Sequence, residues 1–340
     1  MHIRDASVKR RKLIGLIGGA AVWPFQARAQ QTPGTVSSIG PTIGLLSSEN
    51  IADWMIGGVR KGLGESGFVE GKNLTIVFRA AEGEADRLPA LAAELVAARV
   101  SAILATGGPL PTRAAKAATT TLPIVFAYGG DPVADGLVAS INRPGGNVTG
   151  ATFIGASLTA KRMEVMHELL PRATDVALLA NPRNTLAKVQ AEDGAAAAKT
   201  LGLGLHVLNA GNAREMDEAF ATMDRLKVGF AIVGVDPTFG FTLRDQIVAL
   251  ALRYRIPTMS ESTTHGTVAG DGLIGYGPVL EETWRQAGGY LGRILKGDKP
   301  SDLPILQPTR FELVINLRTA KALGVDVPPR LLAIADDVVE

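Results

Sequence analysis

Two short stretches share a form that suits the gripping of a small molecule. Thr106-Gly107-Gly108-Pro109 and Tyr128-Gly129-Gly130-Asp131-Pro132 each follow a short apolar run. Each has a side chain able to bond a ligand, two glycines that let a ligand approach the backbone, and a proline suited to a first helical turn. Free N–H groups at such a helix start, with the helix dipole behind them, can hold a carboxylate. Comparable points are Ser47-Ser48-Glu49-Asn50 with Trp54 just beyond, Asn181-Pro182, Asn209, Asp236-Pro237-Thr238-Phe239 and Glu261-Ser262. Phe153 and Tyr276 lie where the chain passes from one half to the other. The candidate ligand-binding residues are therefore Ser47, Ser48, Trp54, Thr106, Gly107, Pro109, Tyr128, Asp131, Asn181, Asp236, Phe239 and Tyr276. This is chemistry of holding, with polar grips and aromatic walls. The same residue types also serve plainer ends. Asp131, Asn181 and Asp236 read equally as helix N-caps, and Phe153 and Trp284 read as core.

Constellations for bond making are missing. His2, His167, His206 and His265 are widely spaced, with no His-Glu-x-x-His and no Gly-x-Ser-x-Gly. No Gly-x-x-x-x-Gly-Lys-Ser/Thr loop occurs, and no Gly-x-Gly-x-x-Gly follows the first apolar run. Glu281-Glu282 and Asp336-Asp337 are neighbours that point apart on a helix, and read as solvated faces. The sequence thus implies no metal, no cofactor and no enzymatic activity.

The elements that must position these residues alternate. Apolar runs predict strands at 42–46, 73–78, 101–105 and 123–127, then at 175–180, 204–208, 229–233 and 256–259. Helices are predicted near 53–65, 86–99, 110–118, 133–140, 159–170, 185–201, 213–226 and 240–253. Leu88, Leu91, Ala92, Leu95 and Val96 put an apolar stripe on one helical face. Strands that are continuously apolar are covered on both faces, which marks a parallel sheet between helices. Two such sets, joined by the turn-rich 142–150, imply α/β architecture used twice, as two doubly wound parallel-sheet domains. The chain then returns through a glycine-bracketed strand (270–278), a long helix (279–296), a proline-punctuated stretch, a strand (311–315) and a helix (317–323).

The N-terminus bears on compartment. Lys9-Arg10-Arg11-Lys12 precedes a thirteen-residue uncharged run, Leu13 to Phe25, and then Ala27-Arg28-Ala29. Basic start, short apolar middle and small-x-small end are the parts of a cleaved export signal, 1–29. The run is too short for a membrane anchor, which needs about twenty residues. Arg10-Arg11-Lys12-Leu13-Ile14 suits the twin-arginine route, and 30–41 reads as a flexible leader. Residues 1–29 hold six basic side chains and one acid, so their removal turns the formal charge of +2 into −3. A mildly acidic remainder without a basic cluster gives no electrostatic reason to bind nucleic acid. With no cysteine in the chain, disulfides, thiolate chemistry and a lipid-modified cysteine are excluded, and a free periplasmic protein is expected.

Several stretches resemble one family. They are the export segment, Pro-Ile-Val-Phe-Ala-Tyr-Gly-Gly-Asp-Pro-Val (123–133), Pro-Gly-Gly-Asn-Val-Thr-Gly (144–150), Gly-Tyr-Gly-Pro (275–278) and, most specifically, 294–324 from Ile-Leu-Lys-Gly-Asp-Lys-Pro to Thr-Ala-Lys-Ala-Leu-Gly. Together they resemble the ABC-transporter substrate-binding proteins related to the tryptophan/tyrosine receptors. The resemblance implies a type I periplasmic binding protein with a three-segment hinge. Domain one would hold 40–150 and 277–306, and domain two 151–276 and 307–340. It also implies a small-molecule ligand, often an aromatic amino acid, a membrane permease as partner, and a monomer. By motif position it puts Ser47, Ser48, Thr106, Gly107, Pro109, Asp131 and Asp236 at the cleft. For an amino acid, Thr106 and nearby N–H groups would take the carboxylate, Asp236 the ammonium, and Trp54, Tyr128 or Phe239 the side chain. The stretch Asp236-Pro237-Thr238-Phe239-Gly240 departs from the Asp-Asn of amino-acid-binding relatives. A periplasmic sensor signalling to a membrane kinase shares fold and compartment. A nucleotide-dependent α/β enzyme lacks its phosphate loop, and a repressor lacks its DNA-binding helices.

Overall fold

A computed structural model describes residues 40–261 and 272–340, all within one compact unit. The export signal, and all but the end of the leader, lie outside the described residues.

The chain builds two sheets in succession. β1 (Thr42–Ser47), α1 (Asp53–Glu65), β2 (Thr75–Ala80), α2 (Leu88–Ala97), β3 (Ala102–Thr106), α3 (Pro109–Ala118), β4 (Ile124–Tyr128) and β5 (Val148–Thr152) form the first lobe. Its five strands are parallel in the order β2-β1-β3-β4-β5. The second lobe follows with α4 (Thr159–Leu169), β6 (Asp175–Ala180), α5 (Leu186–Leu201), β7 (Gly204–Asn209), α6 (Ala213–Leu226), β8 (Phe230–Val233), α7 (Arg244–Tyr254), β9 (Thr258–Ser260) and β10 (Ile274–Pro278). Then α8 (Leu280–Leu295) returns to cover the first sheet. β11 (Phe311–Asn316), α9 (Leu317–Leu323), α10 (Pro329–Ile334) and β12 (Asp337–Val339) complete the second. That sheet has the order β12-β11-β10-β9-β8-β6-β7.

β1, β3 and β4 are buried almost end to end, as apolar strands covered on both faces must be. One face packs against α1 and α8 through Ile43, Leu45, Val59, Leu63, Ala287 and Leu291. The other packs against α2 and α3 through Leu91, Leu95 and Ala115. The second sheet repeats this plan, with α6 and α7 on one side.

Sequence and structure differ at several places. No helix forms at 133–140. Asp131 accepts the N–H groups of Val133 and Ala134, Leu137 and Val138 both donate to Pro132 O, and Gly136 takes φ +69°. These are turns closed locally, which the helical spacing of the side chains does not reveal. β5 emerges from the second half of the turn-rich junction. Its Thr149 donates to Leu303 O at 2.7 Å, so its partner is 154 residues away. β10 and β11 pair antiparallel, which makes the second sheet mixed. Asp336-Asp337 lies at a strand start, where Asp336 accepts from Leu313 N at 2.8 Å, and not on a helix.

Candidate functional site

In each sheet the strand order reverses at one point, between β1 and β3 and between β6 and β8. Such points leave a crevice beyond the strand ends. Here the two crevices face one another. In the first, Ser48 N donates to Thr106 O at 3.3 Å and Ser48 Oγ donates to Gly107 O. Gly107 has φ +85°, and a Cβ there would lie 2.2 Å from Ser48 Oγ, so only glycine fits. In the second, Asn181 Nδ2 donates to Asp236 Oδ1 at 3.3 Å and Asn184 Nδ2 to Asp236 Oδ2 at 2.7 Å. Thr238 N and Phe239 N also donate to Oδ1.

Between the lobes lie two cavities. The first, of about 440 Å³, is bounded by Trp54, Thr106, Gly107, Gly108, Tyr128, Phe153, Asp236, Phe239, Phe241, Glu261 and Trp284 among others. Trp54, in the first turn of α1, stacks on Trp284 of α8 with ring centroids 6.2 Å apart. Phe153 meets Trp284 edge-on at 6.1 Å. The second, of about 410 Å³, is more polar and includes Ser48, Glu49, Pro109, Asn181, Arg183, Asn184 and Asp236. Glu49 belongs to the first lobe, yet its carboxylate accepts from two threonines of the second, Thr238 Oγ1 at 3.0 Å and Thr242 Oγ1 at 2.9 Å. Burial pushes the Glu49 carboxyl up, and the bonds from Thr242 and Thr238 pull it back.

The expected residues divide accordingly. Trp54, Thr106, Gly107, Tyr128, Asp236 and Phe239 line the first cavity, and Ser48, Gly107, Pro109, Asn181 and Asp236 the second. Three sit elsewhere. Ser47 is buried and accepts from Glu49 N at 3.3 Å. Asp131 caps an exposed turn. Tyr276, in the middle of β10, stacks on Phe311, and its carbonyl accepts from Arg162. Pro109 and Pro111 carry no N–H, so the start of α3 offers a carboxylate fewer donors than an ordinary helix. Tyr128 donates to Asp135 Oδ2 at 2.9 Å, and burial keeps its phenol protonated. The set of donors around Asp236 fills Oδ1 and leaves a ligand only one side of Oδ2.

Trp284 and Phe153, read as core, do pack in the core of the first lobe and also border the first cavity, and the indole Nε1 of Trp284 is buried without a hydrogen-bond partner among the described residues. The scarcity of aromatics was the available signal. Glu49 stood beside named residues, but nothing in the sequence brings it to Thr238 and Thr242.

Among the described residues there is no helix long and apolar enough to cross a membrane, and no cluster of three or more metal-ligating side chains.

A family model described as ABC transporter substrate binding protein matches residues 45–339. Among curated proteins, a tyrosine-binding protein of Clostridioides difficile (strain R20291) is 26% identical over 269 residues, which cover 78% of this chain and 75% of the relative. The solved structure of an ABC domain in complex with L-Trp from Streptococcus pneumonia is 24% identical, with a TM-score of 0.79 over 88% of this chain and 100% of that one. The ligand-free, open structure of a substrate binding protein with adhesive properties from Clostridium difficile is 23% identical, with a TM-score of 0.63 over 88% and 99%. These likenesses identify the fold as that of the type I periplasmic binding proteins. The relatives are binding proteins, not enzymes.

Proposed function

The chain belongs to the ABC transporter substrate-binding protein family, and from that premise we propose that it is the exported receptor of an ABC importer. It captures an amino acid or aromatic carboxylate between its lobes and presents the closed form to a membrane permease. The observation that carries this reading is the first cavity, where an aromatic wall of Trp54, Trp284, Phe153 and Phe239 meets polar strand ends at Thr106 and Gly107. The backbone N–H groups of Gly108 and Leu110 would receive the carboxylate, and the rings would enclose the side chain. The family premise, together with the basic, apolar and Ala-x-Ala sequence of residues 1–29, supports action in the periplasm as a free monomer.

Closure follows from the layout. Domain one would comprise 40–150 and 277–306, and domain two 151–276 and 307–340, with a hinge of three segments. A ligand touching both lobes favours the closed form by its extra contacts there. The hydrogen bonds from Thr238 and Thr242 of the second lobe to Glu49 of the first support a closed conformation here. Glu49 then acts as a latch. Glu49→Ala should weaken affinity about tenfold, the worth of a charge-assisted hydrogen bond or so, and should raise the radius of gyration of ligand-free protein in X-ray scattering. An unchanged radius and affinity would leave the latch without support.

The reading is tested by calorimetry on protein unfolded and refolded to remove carried-over ligand. We expect one saturable binder among aromatic amino acids and aromatic acids, with Trp54→Ala weakening it at least tenfold. At 100 times its dissociation constant the ligand should add about 2.7 kcal/mol of stability. Absence of any binder in that panel would overturn the ligand class.

A further inference from the structure

Among the carboxylates that border the cleft, Glu49, Asp236 and Glu261 differ in how far the protein satisfies them. Glu49 accepts from two threonine hydroxyls. Asp236 accepts from four donors, the side chains of Asn181 and Asn184 and the backbone of Thr238 and Phe239. Glu261, just past β9, lines the first cavity. Its Oε2 is enclosed and has no hydrogen-bond partner among the described residues. A buried carboxylate oxygen without a donor is costly, because its desolvation is left uncompensated.

Only glycine leaves room for that oxygen on one side. Gly155 faces it, and a Cβ on that residue would lie 2.7 Å from Oε2. The nearby cation is Arg162, which is fully buried and whose Nη2, like Glu261 Oε2, has no hydrogen-bond partner among the described residues. Its Nε donates to Tyr276 O and its Nη1 to Gly155 O, each at 2.9 Å. Arg162 supplies positive charge behind the carboxylate without bonding the oxygen that lacks a partner.

We propose that Glu261 is the anchor for an ammonium group on the ligand, set at the edge of an otherwise aromatic cavity. This rests on the receptor reading above and adds its recognition chemistry: the cargo is an aromatic amine or amino acid, not a bare aromatic acid. A ligand ammonium supplies the donor that Oε2 lacks. Because Glu261 belongs to the second lobe and Trp54 and Thr106 to the first, such a ligand touches both.

The charge balance agrees. Burial pushes the Glu261 carboxyl up to about 7, Arg162 on α4 pulls it down, and Asp236 beyond β8 pushes it up. Asp193 on α5 and Tyr276 on β10 act on Arg162 in turn. A cation must find this carboxyl ionised. The fraction ionised falls about tenfold between pH 8 and pH 6 for a group titrating near 7, and affinity for an ammonium falls with it.

The test uses three probes sharing one indole, followed by calorimetry on the full mature chain. L-tryptophan carries ammonium and carboxylate, tryptamine the ammonium alone, and indole-3-propionate the carboxylate alone. We expect Glu261→Gln to weaken L-tryptophan and tryptamine at least tenfold and indole-3-propionate less than threefold. Independently of any variant, wild-type affinity for tryptamine should fall about tenfold from pH 8 to pH 6, with indole-3-propionate unaffected. Equal losses on all three probes, or none, together with a flat pH profile, overturn the assignment. Wild-type binding of indole-3-propionate alone overturns it while sparing the receptor reading. Failure of the wild type to bind any of the three overturns the aromatic ligand class, and this inference with it.

Discussion

Gly62→Val is expected to lower the melting temperature by roughly 10 °C and to remove ligand-dependent stabilisation. α1 and α8 cross so closely that a Cβ on Gly62 would sit 1.9 Å from Arg285 O and 2.6 Å from Gly289 N. The contact is reciprocal, because a Cβ on Gly288 would lie 2.3 Å from Val59 O. Both obstacles are backbone, which cannot rotate away as a side chain can, so the helices must part. Overpacking typically costs about 1–3 kcal/mol, and separating two helices over the core of Val59, Leu63, Ala287 and Leu291 falls at or above the top of that range. For a chain of this size each kcal/mol corresponds to about 2–4 °C. The functional consequence comes from the same geometry. α1 carries Trp54 and α8 carries Trp284, so spreading the helices separates the stacked rings that wall the cavity. Gly57→Ala is the control. It lies on the same helix with nothing within 4 Å of its Cβ, and should stabilise by about 1 kcal/mol through helix propensity. Differential scanning calorimetry of both variants, with and without ligand, checks the pair. A Gly62→Val protein that melts like wild type would refute the close crossing.

Arg162→Ala should cost about 3–5 kcal/mol, the range for breaking a buried charge pair by removing one partner. Arg162 is fully buried and ties Gly155, just past β5, to Tyr276 in β10. Its removal orphans two carbonyls and strips Glu261 of its nearest positive charge. The deficit should depend on pH, and the sign is fixed by Glu261. That carboxyl is raised from 4.5 to about 7 in the folded protein, so between those values the folded form holds more protons than the unfolded one. Stability from this group is full below about 4.5 and falls as pH rises through 7. Without Arg162 the carboxyl moves higher still, so the deficit should be larger at pH 8 than at pH 5.5. Chemical denaturation at the two pH values measures it. A deficit that shrinks at pH 8 would contradict the role given to Arg162, and Arg162→Lys should recover part of the loss by restoring the charge.

Much of the scaffold was legible because its determinants are local. The strand at 175–180 and the helix at 317–323 have the expected bounds, since an apolar run or a 3.6-residue stripe is written within one segment, and Gly324 in the left-handed region stops the helix. What failed was also local in cause. The turns at 133–140 arise from an Asp131 side chain competing for backbone donors, and β5 hides in a stretch whose glycines and prolines announce turns.

The site was legible as a set of strand ends, but not as a set of contacts. Trp54 and Phe239 could be placed at a crevice because strand-end position follows from the order of elements. That Tyr276 turns away to Phe311, while Trp284 turns inward to Trp54, follows from register and helix crossing, which no single segment encodes. The sequence by itself determined the alternation of elements, the doubling of the sheet and the residues near the cleft. Only the tertiary structure decided that Glu49 meets Thr238 and Thr242, that Asp236 is already surrounded by donors, and that Glu261 is left with an oxygen to fill. Hydrogen-bond saturation is a property of groups brought together from distant parts of the chain. It can be counted only after folding has set which donors reach which acceptors.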